Sequence, residues 1–361
     1  MMTSQQSEVP GSSRRAFLAR AAAIAAVPAA ATLVGGRPPA WAAEAAGPAD
    51  LPDYAPVPSF ALGPVLGPRG YYVNQIKKNL YWVTDNSQYV AAFLTTREGV
   101  VLFDAPAGIG GNLQRAIDEV TQATGRSNRV THLVYSHFHI DHIGASSTFG
   151  KDVVRIGHTE TRRVLRQLKD PTRPAPDVTF EKRHVLRVGG QRVVLAYHGP
   201  NHTLDSIFIH FPDHDTLMLV DVVIPAWVPF AALNVSQNIL GVIGAPGIAL
   251  SYDFDTFIGG HIKLGQRHDV TQQIQYMDDL TTSAKHAIDT VDRTPFFQKY
   301  QTNGWAATKT YFDALVAATA APVAAKYTGI LAGADVYTDS NAFVLLESLR
   351  LDSGYGSAVR P

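Results

Sequence analysis

Residues 136–142 read Ser-His-Phe-His-Ile-Asp-His, which sets His137, His139, Asp141 and His142 within six positions of a chain that has 13 histidines in 361 residues. Metal ligation is the chemistry that needs this density. Alternate side chains of an extended loop point in opposite directions, so His137 and His139 can serve one ion while Asp141 and His142 serve a second beside it. Imidazole and carboxylate donors suit Zn²⁺ and other first-row cations. Cysteine is absent, which excludes a thiolate nucleophile, a sulfur ligand and a disulfide framework. Any metal site must therefore be assembled from His, Asp and Glu.

Such a loop needs a rigid support. Residues 129–135 (RVTHLVY) read as a short apolar strand, and the histidine loop begins where it ends, the place where α/β sheets present catalytic loops. Upstream, 71–83, 89–95 and 100–103 are β-branched and aromatic runs broken by turn residues, a meander of strands. Residues 112–124 follow as an amphipathic helix with Leu113, Ala116, Ile117 and Val120 on one face. Downstream, 153–156 reads as a strand, 160–167 as a helix, proline-rich 170–177 as a surface loop, and 185–220 as strands and turns closed by Asp221. The stretch 222–253 mixes aromatic and aliphatic residues with Pro and Gly, and 254–258 leads as a last strand into Gly259-Gly260-His261. Val270, Ile274, Met277, Ala284 and Ile288 then mark a long amphipathic helix.

The composition, 46% hydrophobic and 17% charged, is that of a globular protein able to bury a sizeable core. Residues 1–42 read as a targeting segment: Arg14 and Arg15 precede an alanine-rich apolar run, and Ala40-Trp41-Ala42 has the small-x-small form of a cleavage site. This resembles a twin-arginine export signal, so the mature protein is expected in the periplasm or outside the cell. Cleavage after Ala42 removes four arginines and one glutamate, which takes the formal charge from 0 to −3. With no basic run, the remainder has no electrostatic footprint for nucleic acid or for an anionic membrane; a small-molecule substrate is the expected partner. The chain is thereby divided into a signal (1–42), a Pro/Gly-rich arm (43–70), a catalytic domain (71–292) and a C-terminal helical extension (293–361), helical over 308–325, that serves packing or homodimerisation.

His137-Phe-His139-Ile-Asp141-His142 is similar to the H-x-H-x-D-H signature of the metallo-β-lactamase superfamily, and further segments match in order across about residues 71–290. Gly199 to Ser206 (GPNHTLDS) resembles the segment that supplies the third histidine of the first metal, Asp221 the bridging aspartate, and Gly259-Gly260-His261 the loop with the last histidine of the second metal. The resemblance implies an α/β fold, a four-layer αβ/βα sandwich. It gives metal one to His137, His139 and His202, metal two to Asp141, His142 and His261, and the bridge to Asp221. Two Zn²⁺ ions are implied, with Mn, Fe or Co as substitutes. They would lower the pKa of a shared water until hydroxide exists at neutral pH, with Asp141 and Asp221 as catalytic carboxylates; Asp141 would orient that hydroxide and pass its proton to the leaving group. Asp104 resembles the family's buried aspartate beneath the motif loop, a support for the ligands; an ordinary turn aspartate is the plainer alternative.

The superfamily's β-lactamases usually carry Cys or Ser where Asp221 stands, so the aspartate points to lactonase-like and methyl-parathion-hydrolase-like branches. Trp227, Phe230 and Leu233 could line a pocket for a hydrophobic substrate, or could belong to the core or a dimer interface. The expected activity is hydrolysis of a small, fairly apolar ester, lactone or related acyl compound. A β-lactam hydrolase and an organophosphate triesterase are the alternatives; a mono-iron persulfide dioxygenase is a remoter one, disfavoured by the complete second ligand set.

Overall fold

The computed structural model describes residues 51–356, so the expected export signal and the first residues of the arm lie outside the described residues.

Strand alternation builds the layers. The first sheet holds β1 (Tyr71–Lys77), β2 (Leu80–Asp85), β3 (Val90–Thr95), β4 (Val100–Phe103), β5 (Val130–Val134), β6 (Val154–His158) and β7 (Val178–Phe180), in that spatial order. Its first four strands are antiparallel neighbours, and β4 to β7 run parallel. The second sheet has the order β13-β12-β11-β10-β9-β8, from β8 (Arg183–Val188), β9 (Gln191–Ala196), β10 (Phe208–Phe211), β11 (Thr216–Met218), β12 (Thr256–Ile258) and β13 (Leu264–Gln266). Within it only β11 and β12 pair in parallel.

Every residue of β3 is buried, because the strand packs on both faces. Val90, Ala92 and Leu94 face the second sheet and share a core with Ile207, Ile209, Met218 and Ile258. Ala91 and Phe93 point the other way, onto Leu113, Ala116 and Ile117 of α1 (Asn112–Thr124). After the one-turn α2 (Ile140–Ile143), α3 (Thr159–Leu168) adds Leu165 to that outer core. On the far side, the second sheet's outer face is covered by α5 (Ile239–Ala249) and α6 (Arg267–Thr290). The result is four layers, helices–sheet–sheet–helices, as expected.

Beyond the short α7 (Thr294–Lys299), α8 (Gly304–Tyr327) and α9 (Ala334–Leu351) share a core with α5 and α6 through Phe312, Leu315, Ala342, Leu345 and Leu346. The expected helical tail is thus present, with a second long helix where no amphipathic stripe had pointed to one. The arm contributes Ala61, which is buried against Ala226 and Ala332, while the Trp227 indole N–H donates to the Ala61 carbonyl at 2.9 Å. Among the described residues no helix is long and apolar enough to cross a membrane.

Between β11 and α5 lies α4 (Ala231–Val235), a single turn of unusual hand. Ala232, Leu233, Asn234 and Val235 have φ of 53°, 53°, 61° and 57°, the left-handed region. None is glycine, so each costs about 1–2 kcal/mol relative to the ordinary hand. Such a segment persists only where its surroundings over-determine it.

Candidate metal centre

Strand direction brings the donors together. Because β4 and β5 run parallel, Asp104 and the loop carrying His137, His139, Asp141 and His142 leave the first sheet at the same end. Because β11 and β12 are parallel, with Met218 opposite Ile258, Asp221 and His261 emerge side by side, each three residues beyond that pair. His202 lies in the β9–β10 connection. All seven expected donors therefore meet. They form two groups, His137, His139, His202 with Asp221 and Asp141, His142, His261 with Asp221, each with its donor atoms within 4.8 Å of one another.

Asp221 stands in both groups. Its Oδ2 is 3.0 Å from His142 Nε2, 3.3 Å from His202 Nε2 and 3.5 Å from His137 Nε2, while Oδ1 is 2.9 Å from His261 Nε2. His139 Nδ1 approaches His202 Nε2 at 3.0 Å, and Asp141 Oδ2 lies 3.6 Å from His142 Nε2. Nitrogens and carboxylate oxygens thus converge on two small volumes.

Unsatisfied polar atoms show what the cluster lacks. Of nine buried side-chain atoms that make no well-aligned hydrogen bond among the described residues, five are here: His137 Nε2, both ring nitrogens of His142, Asp221 Oδ1 and Asp104 Oδ2, although His142 Nε2 and Asp221 Oδ1 have the close neighbours given above. Buried polar groups are nearly always paired, so this concentration of nitrogen and oxygen donors fits a cation-binding site. The residues fit a pair of divalent ions. Burial holds the imidazoles of His137 and His139 below their ordinary pKa and brings His202 down to about 4, which favours the neutral imidazole that a metal requires. Burial opposes protonation of His142 most strongly of any single cause, but the carboxylates of Asp221, Asp141 and Asp104 together outweigh it and carry His142 up to about 9.

Supporting contacts orient the donors. The Ser136 N–H donates to Asp104 Oδ1 at 2.8 Å, the Ser136 hydroxyl lies 3.0 Å from His137 Nδ1, and Asp104 Oδ2 is 4.0 Å from His142 Nδ1. Asp104 is fully buried, which raises its pKa to about 7; it sits beneath the loop, as expected. Gly260, at φ 87°, lets the last loop close in: a Cβ there would lie 2.6 Å from Val220 and 3.1 Å from His142 Cε1. Arg173 donates to the Phe138 carbonyl at 2.7 Å and pairs with Asp170, tying the proline-rich loop to the motif loop.

Three contributors escape a reading of residue spacing. Tyr89 bridges to His261 across the two sheets, its ring 5.0 Å from His261 and 5.5 Å edge-on from His142. Asn234 donates to the Asp221 carbonyl at 2.9 Å, and the Ser236 hydroxyl lies 3.5 Å from His202 Nδ1. Nothing in their local sequence marks them, since each arrives by chain folding. Of the expected pocket residues, the Phe230 ring is 5.6 Å from His261 and Trp227 meets Phe230 edge-on at 5.8 Å. Leu233 is 1% exposed, in the core with Val222 and Val242, which is the second of the two places the sequence left open for it. A cavity of about 680 Å³ beside His158 and Tyr197 shares Gly199, Pro200 and Leu204 with the His202 loop, but no donor lines it; the convergent donors, not the roomier groove, mark the chemistry. His198 bonds the Tyr252 hydroxyl at 2.7 Å and belongs to neither donor group.

The stretch that carries most of these donors is similar in sequence to known proteins. The model of the metallo-beta-lactamase superfamily matches residues 84–235, a stretch that holds every donor except His261. The chain is 25% identical over 160 residues to 2,4-dinitroanisole O-demethylase subunit alpha of Nocardioides sp. (strain JS1661), covering 43% of this chain and 48% of that protein. It is 26% identical over 153 residues to a metallo-beta-lactamase type 2 of Elizabethkingia meningoseptica, covering 40% and 59%. The matches thus span about half the length of these relatives. Among solved structures, a metallo-beta-lactamase from Pontibacter korlensis aligns with a TM-score of 0.49 at 17% identity, over 57% of this chain and 97% of that one.

Proposed function

Residues 84–235 being a metallo-β-lactamase superfamily domain, we propose that the protein is an exported hydrolase with two divalent cations, zinc in the first instance, acting on a small, fairly apolar ester, lactone or related acyl compound. The observation that carries this reading is the pair of donor groups joined through Asp221. His137, His139 and His202 would hold one cation, Asp141, His142 and His261 the other, and Asp221 both. Bound there, two cations supply a water acidic enough to ionise near neutral pH and an electrophile for the carbonyl oxygen.

The chain's own residues do the rest. Asp141, whose side chain is 36% exposed while His137, His142, His202 and Asp221 are buried, is placed to accept a proton and hand it to a leaving group. Asp104, through Ser136, fixes the ring of His137. Tyr89 and Phe230 pack against His261 and keep bulk water from that side. Support for an apolar substrate comes from the residues beside the donors: Ile140 is 51% exposed, Leu204 39% and Val235 71%. These side chains have no core to fill and offer a non-polar rim.

The test is elemental analysis of the purified protein together with hydrolysis of a nitrophenyl ester, an acyl lactone, a β-lactam, a phosphotriester and, given the named O-demethylase relative, an activated aryl ether. Two zinc ions per chain and one preferred acyl substrate are expected. One iron per chain and no hydrolysis would instead favour oxygenase chemistry.

A further inference from the structure

The left-handed turn at Ala232–Val235 stands between the C-terminal helices and the donor cluster, and its contacts run in both directions. Towards the cluster, Asn234 donates to the Asp221 carbonyl at 2.9 Å, the Gln237 N–H to the His202 carbonyl at 2.8 Å, and the Ser236 hydroxyl lies 3.5 Å from His202 Nδ1. Asn234 also closes the turn on itself, because its Oδ1 accepts from the Phe230 N–H at 2.7 Å. Away from the cluster, the turn is gripped by α9. The Leu233 N–H donates to Asn341 Oδ1 at 2.8 Å, Asn341 Nδ2 donates to the Pro229 carbonyl at 2.8 Å, and the Ala232 N–H donates to Ser340 Oγ at 2.9 Å.

Asn341 is fully buried, and its primary amide can accept from one backbone group while donating to another. Four consecutive non-glycine residues do not hold a left-handed path unaided. Without the clamp, the turn would relax toward the ordinary hand and carry Asn234 and Ser236 away from Asp221 and His202. A second link runs parallel to it: Tyr337 of α9 packs on Phe230 at 5.6 Å, and Phe230 packs on His261 at 5.6 Å.

We infer that α9 is a positioning element of the metal centre, and that Asn341 is its positioning residue, holding the strained turn that sets Asp221 and His202. This rests on the two-cation reading above. It gives the C-terminal helices a role in the site, distinct from packing alone.

The experiment measures zinc affinity of the full chain by competition with a chromophoric chelator, and the melting temperature of the chelator-stripped protein. Asn341→Ala should weaken zinc binding about tenfold or more, the scale on which outer supports of metal ligands act. Adding Ala232→Gly should restore much of that affinity, since glycine takes the left-handed path without strain. A purely structural Asn341 would lower the melting temperature and leave zinc affinity unchanged. Ser340→Ala removes only the acceptor for the Ala232 N–H and should weaken zinc binding in the same direction by less, which keeps the test open if Asn341→Ala does not fold. Unchanged affinity in the single variants, or a loss that Ala232→Gly fails to restore, overturns the inference. Absence of zinc binding by the unmodified chain would overturn the metal reading itself.

Discussion

The two halves of the donor cluster are built in opposite ways. The first sheet contributes four donors, His137, His139, Asp141 and His142, from one loop at the end of β5. The second contributes three, His202, Asp221 and His261, from separate connections spread over 60 residues. The first half is a local device whose spacing is written in the chain. The second depends on the register of β11 against β12, on glycines that let the last loop approach, and on a left-handed turn held from α9. A site can therefore look complete in a motif while half of its geometry rests on tertiary packing.

Removing the residue common to both halves should have the largest effect. Asp221→Ala is expected to abolish binding of both cations and to lower hydrolysis by more than about a hundredfold, beyond the scale of outer-shell losses, as read by elemental analysis and initial rates. His142→Ala and His261→Ala compare a local with an assembled donor of the same group. Each should reduce the metal content from two ions toward one, and retention of two by His261→Ala would show that the matched family stretch holds the site alone. Gly260→Ala tests the close approach itself. Its added Cβ meets Val220 at 2.6 Å in a left-handed backbone, and a loss of about 1–3 kcal/mol is expected, seen as a lower melting temperature.

A subtler probe of the assembled half is Asp205, buried in the His202 loop and accepting from the Thr161 and Thr203 hydroxyls, each at 2.6 Å. Burial raises its pKa from the ordinary 3.8 to about 6. The folded chain therefore keeps a proton that the unfolded chain releases between those values, and its stability falls as pH rises from about 4 to about 6, then levels off. Asp205→Asn should remove this dependence, so its stability relative to the unmodified protein should climb over that interval by on the order of 2–3 kcal/mol. A flat difference curve would mean that the carboxyl ionises normally. The smallest effect is expected from His198→Ala, whose ring bonds Tyr252 outside both donor groups; metal content should be unchanged, and a lost ion would move the third donor of the first group from His202 to His198.

How far the site was legible follows the same division. The strand before the motif loop, the helix over 112–124 and the four donors of that loop were readable because period, turn residues and donor spacing are local properties, whereas His202, Asp221 and His261 were found through the resemblance of their segments to the family's. The helix Ile239–Ala249 was not, since it is apolar on every side and contains Pro246 and three glycines. One of those glycines has a packing reason: a Cβ on Gly241 would lie 2.0 Å from the Pro200 carbonyl, so a side chain there would push the helix off the His202 loop. Helix α9 escaped for a related cause, being buried among α4, α6 and α8 and bearing no single apolar stripe.

Leu233 shows the limit most plainly. Its position near the donors left it open between a pocket wall and the core, and the hand of four backbone residues places it in the core and leaves nearby Val235 71% exposed. What the sequence by itself determined is the donor chemistry: histidine and aspartate with no cysteine, placed where strands end. What only the tertiary structure decided is which of those atoms meet, which face the rim takes, and the support from Tyr89, Asn234 and Asn341. Donor type is a property of single residues, whereas convergence within a few ångströms depends on strand direction, register and backbone hand, which form only when distant segments pack.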